Sequence, residues 1–185
     1  MIQVDDRNIL DKFVIDFCNI LEKHAKYIVV SGFFAIASGR TRGTEDVDLI
    51  FEKLSFDKFK KLHEDLVKNG FNCIQEEDPE EIYSYLEEKL AVRYIFKDNE
   101  SPNMEIKFVK DGLDEYQINH RQKYSETNLD VWFAPLECCV AFKEDFLKSK
   151  KDLEDARHLR IFYQDILDEK KVLAYKDLIK RYRYA

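Results

Sequence analysis

Asp46 and Asp48, with Val47 between them, carry the clearest hint of chemistry in this 185-residue chain. The run Leu49-Ile50-Phe51 that follows reads as a strand, in which successive side chains alternate faces. Both carboxylates then point the same way, while Val47 and Leu49 point into a core. Two acids side by side repel each other unless a cation sits between them. Glu105 belongs to a later run in which Met104, Ile106 and Phe108 alternate with Glu105 and Lys107. A matching alternation on a neighbouring strand would give three carboxylates, suited to one or two Mg²⁺, a hard cation that prefers oxygen ligands and keeps water. Such an ion would neutralise triphosphate charge and help deprotonate an incoming hydroxyl. A bare Asp-x-Asp is more often a solvated strand face, so the surroundings decide.

Those surroundings are glycine-rich. Residues 31–52 read SGFFAIASGRTRGTEDVDLIFE and hold three of the five glycines. Gly32 follows the apolar run from Tyr27 to Val30 and precedes a predicted short helix, where free backbone N–H groups can hold phosphate. Gly39 and Gly43 bracket Arg40, Thr41 and Arg42, and an arginine or hydroxyl near a metal can grip phosphate oxygens. Each feature alone is common in turns.

The elements that must carry these residues are legible in the spacing. Ile9, Leu10, Phe13, Val14, Phe17, Ile20 and Leu21 recur at helical intervals, predicting a helix from about Asp6 to Lys23. Tyr27 to Val30 is the first strand. Ser55 is placed to cap a helix that Gly70 ends, and Phe71 to Ile74 is a short strand. Asp78-Pro79-Glu80-Glu81 is a helix start, with a capping acid and proline at the first helical position. Leu90 to Phe96 and Asn103 to Val109, joined by residues 97–102, predict a hairpin. Asp111 to Tyr124 is read as a helix and Leu129 to Phe133 as an edge strand. Helices are expected over Leu136 to Leu147, Lys151 to Leu167 and Leu173 to Tyr182. The middle one places Asp152 and Asp155 toward its apolar side, with Asp152 as a candidate cap.

Composition narrows the function classes. The chain is 45% hydrophobic and 36% charged, enough for a sizeable core beneath a solvated surface. Its net charge of −7 is uneven, with twelve Lys and Arg against nine Asp and Glu over residues 143–185. An acidic chain makes a poor general nucleic-acid binder, although a local basic surface can still meet phosphate. Cys18, Cys73, Cys138 and Cys139 lack zinc spacing, and His24, His63, His120 and His158 form no ligand set. No apolar run approaches a membrane span, and MIQVDDRNIL is acidic where a basic targeting leader would be positive. The expectation is a cytoplasmic protein with no membrane partner, its oligomeric state left open. Residues 1–134 read as a mixed α/β core and residues 135–185 as a helical segment packed on it.

Taken together, Gly32-Phe33, the twelve residues to Asp46, Asp46-Val47-Asp48 and the later Glu105 resemble the DNA polymerase β-like nucleotidyltransferase superfamily. The stretch from Gly32 to Asp48 looks closest to its minimal, AbiEii-like and related uncharacterised members. A second block, Pro135-Leu136-Glu137, then Lys143, then Lys151-Asp152-Leu153-Glu154-Asp155, is similar to their helical Pro-x-Glu, Lys, Lys-Asp-x-x-Asp segment. The resemblance implies an α/β (α+β) nucleotidyltransferase fold, a small mixed β-sheet flanked by helices. It implies Mg²⁺-dependent transfer of a nucleoside monophosphate from an NTP to an acceptor. Asp46, Asp48 and Glu105 would be the metal ligands and catalytic acids. Ser31, Gly32, Arg42, Thr44, Lys143 and Asp155 would serve the nucleotide, with Lys143 near its phosphates and Asp155 lining the cleft. Members act on RNA ends, as toxins of toxin–antitoxin pairs do, on proteins or on small molecules such as aminoglycosides.

Phe33 departs from that pattern, in which the second residue of the glycine pair is small. Its ring either turns away, leaving its N–H in place, or fills the space a phosphate needs. The second alternative corresponds to an inactive nucleotide- or partner-binding relative. A metal-dependent phosphohydrolase is a third reading, separable from a transferase because it needs no acceptor.

Overall fold

The computed structural model describes residues 3–97 and 99–184, with side chains described from residue 9 onward. Met1 and Ile2, at the start of the stretch tested for a targeting leader, and Asp98 of the expected turn lie outside the described residues.

Five strands form one mixed sheet in the order β1-β2-β5-β4-β3. β1 (Tyr27–Val30) is antiparallel to β2 (Asp46–Phe51), and β2 is parallel to β5 (Asn99–Phe108). β5 is antiparallel to β4 (Val92–Phe96), which pairs with the edge strand β3 (Phe71–Cys73). The alternation expected along β2 and β5 gives the sheet its two faces. Val47, Leu49 and Phe51, with Met104, Ile106 and Phe108, are buried on one of them. Aromatic rings of α1 (Gln3–Leu21) and α3 (Phe56–Lys68) cover that face: Phe17 meets Tyr94 at 5.8 Å and Phe59 meets Phe108 at 6.4 Å. The short helix α2 (Gly32–Ala37) follows β1. Asp48, Ile50 and Lys107 stand on the other face and border a cavity shared with the C-terminal helices.

Local signals fix most helix ends. Gly70 adopts φ 88° just after α3, a left-handed conformation in which an L side chain would be strained. Asp78 accepts a hydrogen bond from the Glu80 N–H and Pro79 opens α4 (Pro79–Glu87). Asp111 likewise caps α5 (Gly112–Asn119), shorter than the expected stretch to Tyr124. The first helix starts earlier than expected and ends at Leu21.

Four further expectations need correction. β5 begins at Asn99, inside the expected turn. Residues 129–133 form no strand; only isolated bridges tie Phe133 to Val29 and to Gln122. The helix expected over Leu136 to Leu147 stops as α6 (Leu136–Phe142) and continues as a wider π turn, Lys143–Leu147. Next come α7 (Lys150–Phe162) and α8 (Glu169–Arg183). Ser149, and not Asp152, caps α7: its hydroxyl accepts from the Asp152 N–H, while the Asp152 carboxylate accepts from that hydroxyl. All four cysteines are free and buried. No described helix is long and apolar enough to cross a membrane.

Candidate active site

The parallel register of β2 and β5 sets Asp48 beside Glu105 and Asp46 beside Asn103. Register partners in a parallel pair share a face, so the three acids stand on one side of the sheet. Ser31 lies directly beyond β1, whose last residue, Val30, pairs with Asp48. At φ 68° Ser31 is in the left-handed region, uncommon for a residue other than glycine, and this turn brings its hydroxyl onto the Asp48 carboxylate.

The electrostatics of the acids differ. Burial pushes the Asp48 carboxyl up; the Ser31 hydrogen bond opposes this, and the neighbouring Glu105 and Asp46 add to it. Burial would also raise Glu105. Lys107 at 2.8 Å and Arg93 at 3.0 Å outweigh it and hold this carboxyl below its ordinary value. Asp46 is more exposed, and the Asn103 side-chain amide donates to it at 2.7 Å. Among the described residues no group of three His, Cys, Asp or Glu is arranged to hold a metal ion. The donor set nonetheless fits Mg²⁺ in kind: hard carboxylate oxygens gathered on one face, one of them penalised for its charge. Completing such a site requires Asp46 to turn from Asn103 and Glu105 from its two cations.

The glycine segment is built around a different cluster. Arg42 lays its guanidinium over Gly32, where an added Cβ would come within 2.8 Å of the guanidinium carbon and closer still to Nη2. A side chain at position 32 would have to displace the end of that arginine. Arg42 in turn lies 3.2 Å, through Nε, from Asp155, which is fully buried. Arg40 also pairs with Asp155, and Lys143 reaches it at 2.9 Å and Asp152 at 3.4 Å. Lys143 is 1% exposed, and burial pulls its ammonium below the ordinary lysine value despite these acids. The cluster clamps the loop of residues 39–43 to the start of α7.

Phe33 has turned inward. It is 1% exposed and its ring stacks on Phe133 at 6.2 Å.

The sequence-predicted residues thus fall into three places. Ser31, Asp48 and Lys143 line one cavity of about 250 Å³, along with Lys107 and Phe142. Asp46 and Glu105 adjoin Asp48 on the same face. Arg42 and Thr44 line a separate groove of about 700 Å³ with Ser101 and Pro102, where the Thr44 hydroxyl donates to the Asp46 carbonyl. Gly32 and Asp155 are buried around Arg42. Lys143, expected near phosphates, is engaged by Asp155 although it reaches the cavity wall. Sequence reasoning passed over Arg93, Asn103, Lys110 and Arg183. The Val92-Arg93-Tyr94 alternation shows that Arg93 points outward, while its place opposite Glu105 comes from the β4–β5 register.

With this arrangement in hand, the class of fold can be stated: the chain has the fold of nucleotidyltransferases, a five-stranded mixed sheet flanked by helices. The solution structure of the antibiotic-resistance factor ANT(2″)-Ia covers 100% of this chain and 95% of its own, with TM-score 0.57 and 15% identity. A crystal structure of ANT(2″)-Ia in complex with adenylyl-2″-tobramycin covers 99% and 100%, with TM-score 0.56 and 16% identity. An antigenic nucleotidyltransferase-like protein from Paracoccidioides brasiliensis covers 95% and 88%, with TM-score 0.54 and 15% identity. No protein-family model matches the chain, and no curated protein matches it.

Proposed function

We propose that this protein transfers a nucleoside monophosphate from an NTP to an acceptor in a Mg²⁺-dependent reaction that releases pyrophosphate. The observation that carries the reading is the Asp48–Glu105 pair, side by side on a sheet face that opens into a cavity beneath Ser31. Asp46, Asp48 and Glu105 would hold the metal, which neutralises triphosphate charge when bound. Asp48 suits this role because its charge is disfavoured by burial and by its neighbours, so a cation relieves it. Glu105, kept ionised by Arg93 and Lys107, is suited to accept the acceptor's proton. The Ser31–Gly32 turn would lie under the phosphates, and Arg42 would exchange Asp155 for a phosphate oxygen as NTP enters. Residues 1–134 would supply the metal and triphosphate site, and residues 135–185, through Lys143, would close the cleft. RNA ends, proteins and small molecules all remain within the acceptor class; ANT(2″)-Ia carries the small-molecule case, its structure holding adenylyl-2″-tobramycin.

A second reading, a nucleotide-binding relative without catalysis, is favoured by one observation: Asp46 and Glu105 are each tied to other residues and do not converge on Asp48. Both are tested by incubating the protein with Mg²⁺, each labelled NTP and pools of RNA, protein and small-molecule acceptors. Label should move to an acceptor, and Asp46→Ala or Asp48→Ala should cut transfer on the order of a hundredfold or more, since a metal-bound transition state is stabilised by several kcal/mol. Equal transfer by wild type and variants sinks the assignment of these acids. NTP turnover that ignores every acceptor points to hydrolysis instead.

A further inference from the structure

The cavity beside Asp48 is more basic than the chain that builds it. Lys89, Lys107, Lys110, Lys143 and Arg183 line it against two acids, Asp48 and Asp114, in a protein of net charge −7. Three of these cations already have counter-ions. Lys143 is held by Asp155, Lys107 by Glu105, and Arg183 by Asp111 and Asp114. Lys89 and Lys110 have no ion-pair partner among the described residues, and both are exposed. Although the residue is exposed overall, partial desolvation at the cavity wall, followed by the Arg183 charge, keeps the Lys110 ammonium below its ordinary value, with Lys107 and Lys89 adding repulsion against the pull of Asp114. Lys89 is held at this mouth by a left-handed backbone turn, φ 62°, that closes α4. The wall formed by the π turn is aromatic: Phe142 and Phe146 meet edge to face at 6.0 Å, and the Arg183 guanidinium lies 5.7 Å from the Phe142 ring.

Cations that outnumber the acids around them repel one another, and an anion bound among Lys89, Lys107 and Lys110 lessens that repulsion. We propose that Lys89, Lys107 and Lys110 form an anion subsite for a phosphate carried by the acceptor, so that the acceptor is phosphate-bearing and not a polycationic aminoglycoside. This inference rests on the transferase reading, in which Asp48 marks the reacting end of the cavity. The subsite's phosphate takes no part in bond making. An acceptor oxygen bonds to the α-phosphorus of the NTP, its proton passes to a carboxylate, and pyrophosphate leaves. A tobramycin-like ligand brings several ammonium groups against these lysines and is repelled.

The phosphates of the NTP itself are the other source of the same chemistry, and the test separates them. Fluorescently labelled diuridylate, with and without a 5′-phosphate, is titrated against the full chain by polarisation. The variants are Lys89→Glu/Lys110→Glu and, as a milder pair, Lys89→Gln/Lys110→Gln. Lys107 is left in place because it also holds Glu105. The phosphorylated probe should bind about tenfold more tightly than its unphosphorylated form, with the advantage shrinking as salt rises. The charge reversal should erase that advantage, the glutamine pair should reduce it, and both variants should melt as wild type does. ATP affinity in Mg²⁺ should be unchanged within about twofold. Equal binding of the two probes, or stronger binding of tobramycin than of the phosphorylated probe, overturns the proposal. So does a charge reversal that weakens ATP and spares the probe, because the subsite then belongs to the NTP. Label transfer that ignores both the 5′-phosphate and the charge reversal removes the subsite and leaves the transferase reading intact. Phosphate-dependent binding without transfer to any acceptor removes the transferase reading and leaves the anion site.

Discussion

Phe33 is where a family pattern and a packing requirement meet in one residue. Its backbone lies in the first turn of the short helix Gly32–Ala37 that follows Ser31, while its ring is buried against Phe133, beside Phe34, whose ring stacks on Phe133 at 4.7 Å. The side chain therefore serves the core. Restoring a small residue should not improve the site but leave a void. Phe33→Ser should lower stability by about 3–5 kcal/mol, the range for removing a buried aromatic, without raising transfer above wild type. Denaturant unfolding and the label assay would read these separately; a variant that is both stable and more active would show that the ring obstructs phosphate. Residue types and spacing were enough to single out Asp46, Asp48 and Glu105, because strand alternation is local and shows in the sequence. The partners that tie two of them down were less legible. Asn103 and Arg93 reach the acids across strands, and that pairing depends on register, which no local pattern supplies.

The helical elements near the cleft are held by charge as much as by apolar contact. Asp155 is the anion at which the 39–43 loop, the π turn and α7 meet, through Arg40, Arg42 and Lys143. Removing it leaves Lys143 buried with only Asp152, at 3.4 Å, for compensation. Breaking a buried pair from one side typically costs about 3–5 kcal/mol, because the remaining charge is stranded. Asp155→Ala should destabilise the protein by that order and free the Gly39–Gly43 loop, seen as faster amide exchange and proteolysis there than in α3. A Ser149→Ala change at the same helix start should cost only about 1 kcal/mol, as a lost cap does. If Asp155→Ala unfolds like wild type, the cluster is incidental to stability. The block from Pro135 to Asp155 was recognisable as helical and as acid-bearing, but its division was not. Lys143 opens a π turn whose extra residue per turn shifts the positions up to Leu147, and helical periodicity read from the sequence assumes no such shift. Asp152 was a candidate cap, but α7 begins afresh after the left-handed Lys148, and Ser149 caps it.

At the scale of the whole molecule, the decisive feature is the central β2–β5 pairing between strands more than forty residues apart. Order and direction of strands are set by packing between distant segments, so the mixed composition of the sheet could be expected while its β1-β2-β5-β4-β3 order could not. That order places Asp48 on the floor of a cavity whose far wall is α6, the π turn and α8. A ligand in this cavity touches both the sheet and the C-terminal helices, and its binding free energy adds to the stability of the folded chain. At a hundred times its dissociation constant, a nucleotide bound only to the folded state contributes about 2.7 kcal/mol. For a chain of this size each kcal/mol moves the melting temperature by about 2–4 °C, so Mg²⁺ and ATP together should raise it by roughly 5–10 °C. Asp48→Asn changes the same balance in the opposite sense. Burial disfavours the Asp48 charge, so the neutral amide should melt at or above wild type without ligand and lose most of the Mg²⁺-dependent gain. A variant that keeps the full Mg²⁺–ATP shift would place the metal away from β2.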